Sequence, residues 1–157
     1  PPKGIIESSW GADAVMSDGN YGEVYAAGLF QIIEHVWLRY RKPMFVTENG
    51  VPDRADRLRP GFILDHLRQV WRAISLCYPV MGYYHWSLVD NFEWDRGWSQ
   101  RFGLISLDPE TQARAWRPSA YLYQEICRTG SISSAMATQY APQLLPVMFP
   151  GSAPLSI

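Results

Sequence analysis

The chain has 157 residues, 47% of them hydrophobic and 18% charged, which fits one globular domain with a real core and excludes a disordered segment. Its formal charge is −1 with no basic block, so nucleic acid and anionic membranes are not expected as partners. The two cysteines, Cys77 and Cys127, show neither a disulfide framework nor ligand spacing, and are expected to be reduced core thiols of a cytoplasmic protein.

No apolar run reaches the roughly 18 residues that a membrane span requires, and no signal peptide is visible. The chain starts at Pro1 rather than Met, which points to a piece of a longer protein. Seven tryptophans offer flat, partly polar surfaces of the kind on which sugars stack. Trp37 and Trp71 fall on helical stripes and are expected in the core.

Residues 1–22 mix Pro, Gly, Ser and Asp with few apolar side chains and read as irregular. From Glu23 to Tyr40, Tyr25, Leu29, Ile32, Ile33, Val36, Trp37 and Tyr40 follow the spacing of a helix with one buried stripe. Arg39, Arg41 and Lys42 suit its negative C-terminal end, and Pro43 stops it. Met44 to Thr47 then reads as a short buried strand that delivers Glu48, Asn49 and Gly50.

Asn-Gly is a hairpin signal, because both residues tolerate positive φ. The following VPDRADRLRP holds two prolines and five charges and cannot be the return strand. The strand therefore ends at Glu48 and the chain leaves through a polar loop. From the residues alone, Glu48 is either a solvated strand-end carboxylate or a group placed for binding or catalysis.

Leu58 to Leu76 repeats the helical spacing through Ile63, Leu67, Val70, Trp71 and Ile74, and Pro79 marks its end. Val80 to Leu88 is apolar and aromatic, as in a strand buried on both faces. The polar loop VDNFEWDRGWSQ follows, then RFGLISLD as a short extended piece. Pro118 opens a last helix that runs to about Arg128. Residues 131–157 carry no charge, and Pro142, Pro146, Pro150 and Pro154 predict an extended tail rather than a helix.

Helix, strand, helix, strand, helix implies a parallel sheet with crossover helices. Each strand empties into a loop rich in Asp, Glu, Asn and Trp, where parallel barrels build their active sites.

FVTENG, HLRQVWRAI, GYYHWSLVDNFEW and RFGLISLD, at this separation, resemble the C-terminal part of glycoside hydrolase family 1, the β-glucosidase-like enzymes. SDGNYGEVYAAGL resembles the loop and helix ahead of the family's TENG strand. The resemblance covers about residues 17–128. It implies an α/β fold, a partial (β/α)8 TIM barrel holding strands seven and eight with helices six to eight. Residues 1–130 would be that barrel portion and 131–157 the tail. A whole barrel takes about 250 residues.

The resemblance also implies roles. Glu48 would be the catalytic nucleophile of a retaining β-glycosidase. Trp86 would floor the sugar site, Glu93 would hold two glycone hydroxyls, Trp94 would donate to another, and Phe102 would lie at the mouth. A retaining enzyme needs a second carboxylate about 5–5.5 Å from the first to protonate the leaving oxygen. The family carries it in an NEP motif, and this sequence has none. Asp90, Glu93 and Asp95 are the nearby substitutes, but Glu93 already matches a binding role and the two aspartates read as loop or ion-pair residues.

The chain alone is therefore expected to be inactive, with the missing N-terminal barrel half as a partner. Family members acting on 6-phosphoglycosides lack Glu at the position of Glu93 and hold phosphate with Ser, Lys and Tyr. Glu93, Gln100 and Phe102 here imply an unphosphorylated β-glucoside or close epimer as substrate. His85 alternates away from Trp86, and His35 and His66 fall in helices, so all three are expected to be structural. No metal and no cofactor is expected. A non-catalytic sugar-binding or scaffold fragment remains the alternative reading.

Overall fold

A computed structural model of the chain describes residues 10–151. The irregular reading of residues 1–9 and the last part of the tail, including Pro154, lie outside them. Residues 10–25 hold a short 3-10 helix at Asp18–Asn20 and an isolated bridge from Met16 to Glu23.

Helix α1 spans Ala26–Tyr40 and strand β1 spans Met44–Asn49. Helix α2 spans Arg59–Ser75 and strand β2 spans Val80–His85. A hairpin of β3, Ile105–Leu107, and β4, Arg114–Trp116, comes next, followed by α3 at Pro118–Thr129. Two short helices close the described chain, α4 at Ser134–Tyr140 and α5 at Leu145–Met148.

Strands β1 and β2 pair in parallel, with Phe45 opposite Gly82, Val46 opposite Tyr83 and Asn49 opposite His85. Both strands therefore end on the same side, as the strand-helix-strand order predicts. The two strands form a partial α/β layer, with no closed barrel among the described residues.

The core has two clusters bridged by α2. Val70 and Ala73 in its C-terminal half meet Phe30 and Ile33 of α1 and Val80 of β2. Ile63 and Leu64 in its N-terminal half meet Leu104, Leu122, Ile126, Met136 and Ala141. Each fully buried Leu or Ile contributes about 2 kcal/mol.

Several sequence expectations fail on which side of an element is covered. On α1 the buried stripe is Ala26, Phe30 and Ile33, while Tyr25, Ile32 and Tyr40 are exposed. Trp71 lies next to Val70 on α2 and is 68% exposed, because only the Val70 side is covered. Cys77 and Cys127 are exposed rather than in the core; Cys127 neighbours the inward Ile126, and Cys77 sits just beyond α2. The second strand is not buried on both faces, since Met81 and Tyr84 are exposed.

The tail expected to be extended is helical at 134–140. No proline falls between 131 and 141, and the Ser133 hydroxyl caps α4 by accepting from the Met136 N–H at 3.2 Å. Pro142 and Pro146 sit in the first turns of the two helical segments that follow, where the missing N–H costs nothing. Met136, Ala137 and Ala141 join the core. The β4 strand was not legible in the sequence, because three exposed residues carry no alternation.

The VPDRADRLRP loop is an unexpected finding. Despite five charges, Val51, Pro52, Asp53, Asp56 and Arg59 are buried. Asp53 Oδ2 accepts from the Leu58 and Arg59 N–H groups at 2.7 and 2.9 Å and starts α2. The wholly buried Arg59 guanidinium pairs with Asp56 and donates to the carbonyls of Asp53 and Arg101. Burial draws its pKa down and Asp56 works against that. Asp56 also accepts from the Ser119 N–H at 2.8 Å and its hydroxyl at 2.6 Å, which ties this loop to the start of α3.

Candidate active site

Glu48 is exposed near the C-terminal end of β1. Asn49 and Gly50 lock that end onto the next strand instead of turning a hairpin. The Trp86 N–H donates to the Asn49 carbonyl at 3.0 Å, and the Tyr83 hydroxyl donates to Asn49 Oδ1 at 2.8 Å. A Cβ on Gly50 would lie 1.7 Å from the Trp86 carbonyl oxygen, so only glycine lets the two chains approach this closely. Gly50→Ala is expected to cost about 3 kcal/mol, read as a lower urea midpoint, because the clash is with backbone and no side chain can yield. An unchanged midpoint would show that the two strand ends do not depend on this contact.

Trp86 follows β2 directly and is 36% exposed, with a cis peptide to Ser87. The loop after it organises Glu93. Ser87 Oγ donates to the Val89 carbonyl at 2.8 Å and faces Asn91 Oδ1 at 3.3 Å. Asn91 Nδ2 donates to Glu93 Oε2 at 2.9 Å, and the Tyr21 hydroxyl donates to Glu93 Oε1 at 3.3 Å. Both carboxylate oxygens are thereby oriented. Burial and the Glu93 charge push the Tyr21 hydroxyl's pKa up, which keeps it a donor. The Tyr21 ring meets buried Phe102 edge-on at 5.3 Å.

The structure thus links Glu93 to Phe102 through Tyr21 and links the Glu48 strand end to Trp86 through Asn49 and Gly50. It does not draw Trp94 in: that side chain is 83% exposed on a short 3-10 turn. Sequence reasoning missed Tyr21, Asn49 and Asn91. Asn91 carried a signal, two residues before Glu93; Tyr21 lies in the SDGNYGEVYAAGL motif, but at 72 residues away nothing local tied it to Glu93.

The candidate second carboxylates behave as ion-pair and loop groups. Asp90 is buried and takes both Arg117 guanidinium nitrogens at 2.9 and 3.0 Å, the Gly103 N–H at 2.9 Å and the Leu107 N–H at 3.3 Å. Desolvation works to raise its pKa, but these donors prevail and hold it below the usual carboxylate range. A carboxylate so held does not deliver a proton near neutral pH. Asp95 is exposed and lies 3.9 Å from Arg96.

His85 packs against Phe62 and Tyr123, with neither ring nitrogen hydrogen-bonded among the described residues. Burial, with the nearby Arg59 and His66, lowers its pKa to about 3 and keeps it neutral. His66 is also buried, its Nδ1 2.8 Å from the Phe62 carbonyl. His35, by contrast, is exposed on α1.

The profile of glycosyl hydrolase family 1 matches residues 7–131. The chain belongs to this family. The β-galactosidase of Saccharolobus solfataricus is 47% identical over 111 residues, 71% of this chain and 23% of that protein. The crystal structure of the β-glycosidase from the hyperthermophile Thermosphaera aggregans superposes with a TM-score of 0.77 at 41% identity, covering 81% of this chain and 26% of that one. A 6-phospho-β-galactosidase of Streptococcus equi subsp. zooepidemicus is 34% identical over 141 residues, 83% of this chain and 30% of that protein. The chain spans about a quarter of the length of the family members it matches. The fold of these relatives fits the partial α/β layer seen here, and the Glu48 and Trp86–Glu93 clusters lie at or just beyond the C-terminal ends of β1 and β2.

Proposed function

We propose that this chain is the nucleophile-bearing portion of a retaining β-glycosidase that acts on unphosphorylated β-glycosides. The reading rests on one observation above all. Glu48 is exposed at the tip of a strand whose parallel neighbour leads straight into Trp86 and an oriented Glu93.

In this reading Glu48 attacks the anomeric carbon and forms a glycosyl-enzyme, which water then hydrolyses. Trp86 stacks on the apolar face of the sugar, and Glu93 accepts from paired hydroxyls. Phe102, buried behind Tyr21, backs the Glu93 side of the site, and Trp94, exposed on its turn, would reach a glycone hydroxyl only once the remaining barrel is in place. A phosphate on the glycone would meet the Glu93 carboxylate at close range, and Gln100, buried and neutral, offers no compensating charge. The preference for a neutral glycone follows from that balance.

The acid/base carboxylate must come from elsewhere, because Asp90 is committed to Arg117. The strands favour a partner that supplies the remaining barrel. Phe45, Met81, Tyr84 and Leu88 are each more than half exposed, and each strand pairs along one edge only among the described residues. Mixing the chain with a polypeptide carrying the first six strands of a family member is expected to produce hydrolysis of nitrophenyl β-glucoside. Neither part is expected to show it separately. Hydrolysis by this chain alone, abolished in Glu48→Gln, would overturn the division of labour.

A further inference from the structure

We infer that a cleft of about 460 Å3 beside the β3–β4 hairpin binds a small phosphate-class oxyanion. It is lined by four arginines, Arg54, Arg101, Arg114 and Arg117, and by two carboxylates, Asp90 and Asp108. That leaves a net charge of +2 on its walls, in a chain whose formal charge is −1. None of these residues belongs to the Glu48 cluster.

Neither carboxylate is free to neutralise the two outer arginines. Asp90 is occupied by Arg117 on both oxygens and lies 3.6 Å from Arg101. Asp108 is folded into the hairpin turn, where its Oδ1 accepts from the Glu110 and Thr111 N–H groups at 2.8 and 3.1 Å. Those backbone donors hold it ionised but turn it toward its own loop.

Arg101 and Arg117, with side chains 12% and 9% exposed, form a fixed cationic floor. Arg54 and Arg114 form an exposed rim, and Arg114 has Nη1 on the Gln112 carbonyl at 3.1 Å. Arg101 donates to the Leu107 carbonyl at 2.9 Å, and Arg117 donates to Asp90 and the Gly103 carbonyl. Among the described residues, by contrast, the Arg54 side chain makes no hydrogen bond and Arg114 makes one. The rim guanidinium forks therefore keep N–H donors for a ligand that only accepts hydrogen bonds and carries charge on several oxygens. A phosphoryl group has that chemistry.

The test is calorimetric titration of the chain with inorganic phosphate and with phenyl phosphate at constant ionic strength. Saturable binding is expected. Arg54→Gln and Arg114→Gln should each weaken it about fivefold, and the double variant should remove it, with far-UV circular dichroism unchanged. Both side chains are exposed, so their loss leaves the fold intact. Arg57→Gln, an exposed cation outside the cleft, should bind as the unmodified chain does. Tight binding of phenyl phosphate would assign the site to phosphate esters, and binding of inorganic phosphate alone would assign it to the free ion. Undiminished binding in the double variant, equal weakening in Arg57→Gln, or an equal response to chloride would overturn the inference.

Discussion

Glu48→Gln in the reassembled enzyme is expected to reduce turnover of nitrophenyl β-glucoside by about 10³-fold or more. Gln keeps the shape of the side chain but has no anionic oxygen to attack the anomeric carbon, so no glycosyl-enzyme forms. Because Glu48 is exposed at a strand end and takes no part in either core cluster, the substitution should leave the urea midpoint unchanged. The decisive measurement is covalent trapping. A 2-deoxy-2-fluoro glucoside should label the reassembled enzyme on the peptide containing Glu48, as read by mass spectrometry. Labelling of a different carboxylate, or residual turnover within tenfold of the unmodified enzyme, would remove the basis for the proposed mechanism. The exposed clusters beside it would then be read as a sugar-binding platform.

The largest effect on stability is expected from Asp56→Ala. Arg59 is wholly buried, and Asp56 is the carboxylate that pairs with it. Removing that carboxylate strands a guanidinium in the core and also strips the Ser119 N–H and hydroxyl of their acceptor. The expected cost is about 3–5 kcal/mol, read from urea unfolding. Asp56→Ala with Arg59→Met should recover part of it, since the uncompensated charge is gone. Recovery should stay incomplete, because the carbonyls of Asp53 and Arg101 lose the Arg59 donor. A cost below 1 kcal/mol for Asp56→Ala would mean that Arg59 reaches water in solution.

The sequence was most legible where structure is local. Pro43 and Pro79 bracket the β1–α2 unit, and α1, α2 and α3 end within a few residues of the predicted bounds. The position of Glu48 at a strand end was readable from an apolar run that stops at a carboxylate before a proline-rich loop. The same reasoning overreached with the tail, because prolines at 142 and 146 read as helix breakers when each sits in a first helical turn. It also overreached with Trp71, which has the right period but lies on the uncovered side of its helix.

Chain order, helical period and the strand-end position of Glu48 were set by the sequence itself, since each depends on neighbours a few residues apart. What only the tertiary structure decided is which charges are buried and which donors hold which acceptors. Asp56 meets Ser119 across 63 residues, Tyr21 meets Glu93 across 72, and four arginines scattered from 54 to 117 share one cleft. No local period encodes such meetings. They arise because packing α2 and α3 on the two strands brings remote loops to the same place, where desolvation makes each pairing count.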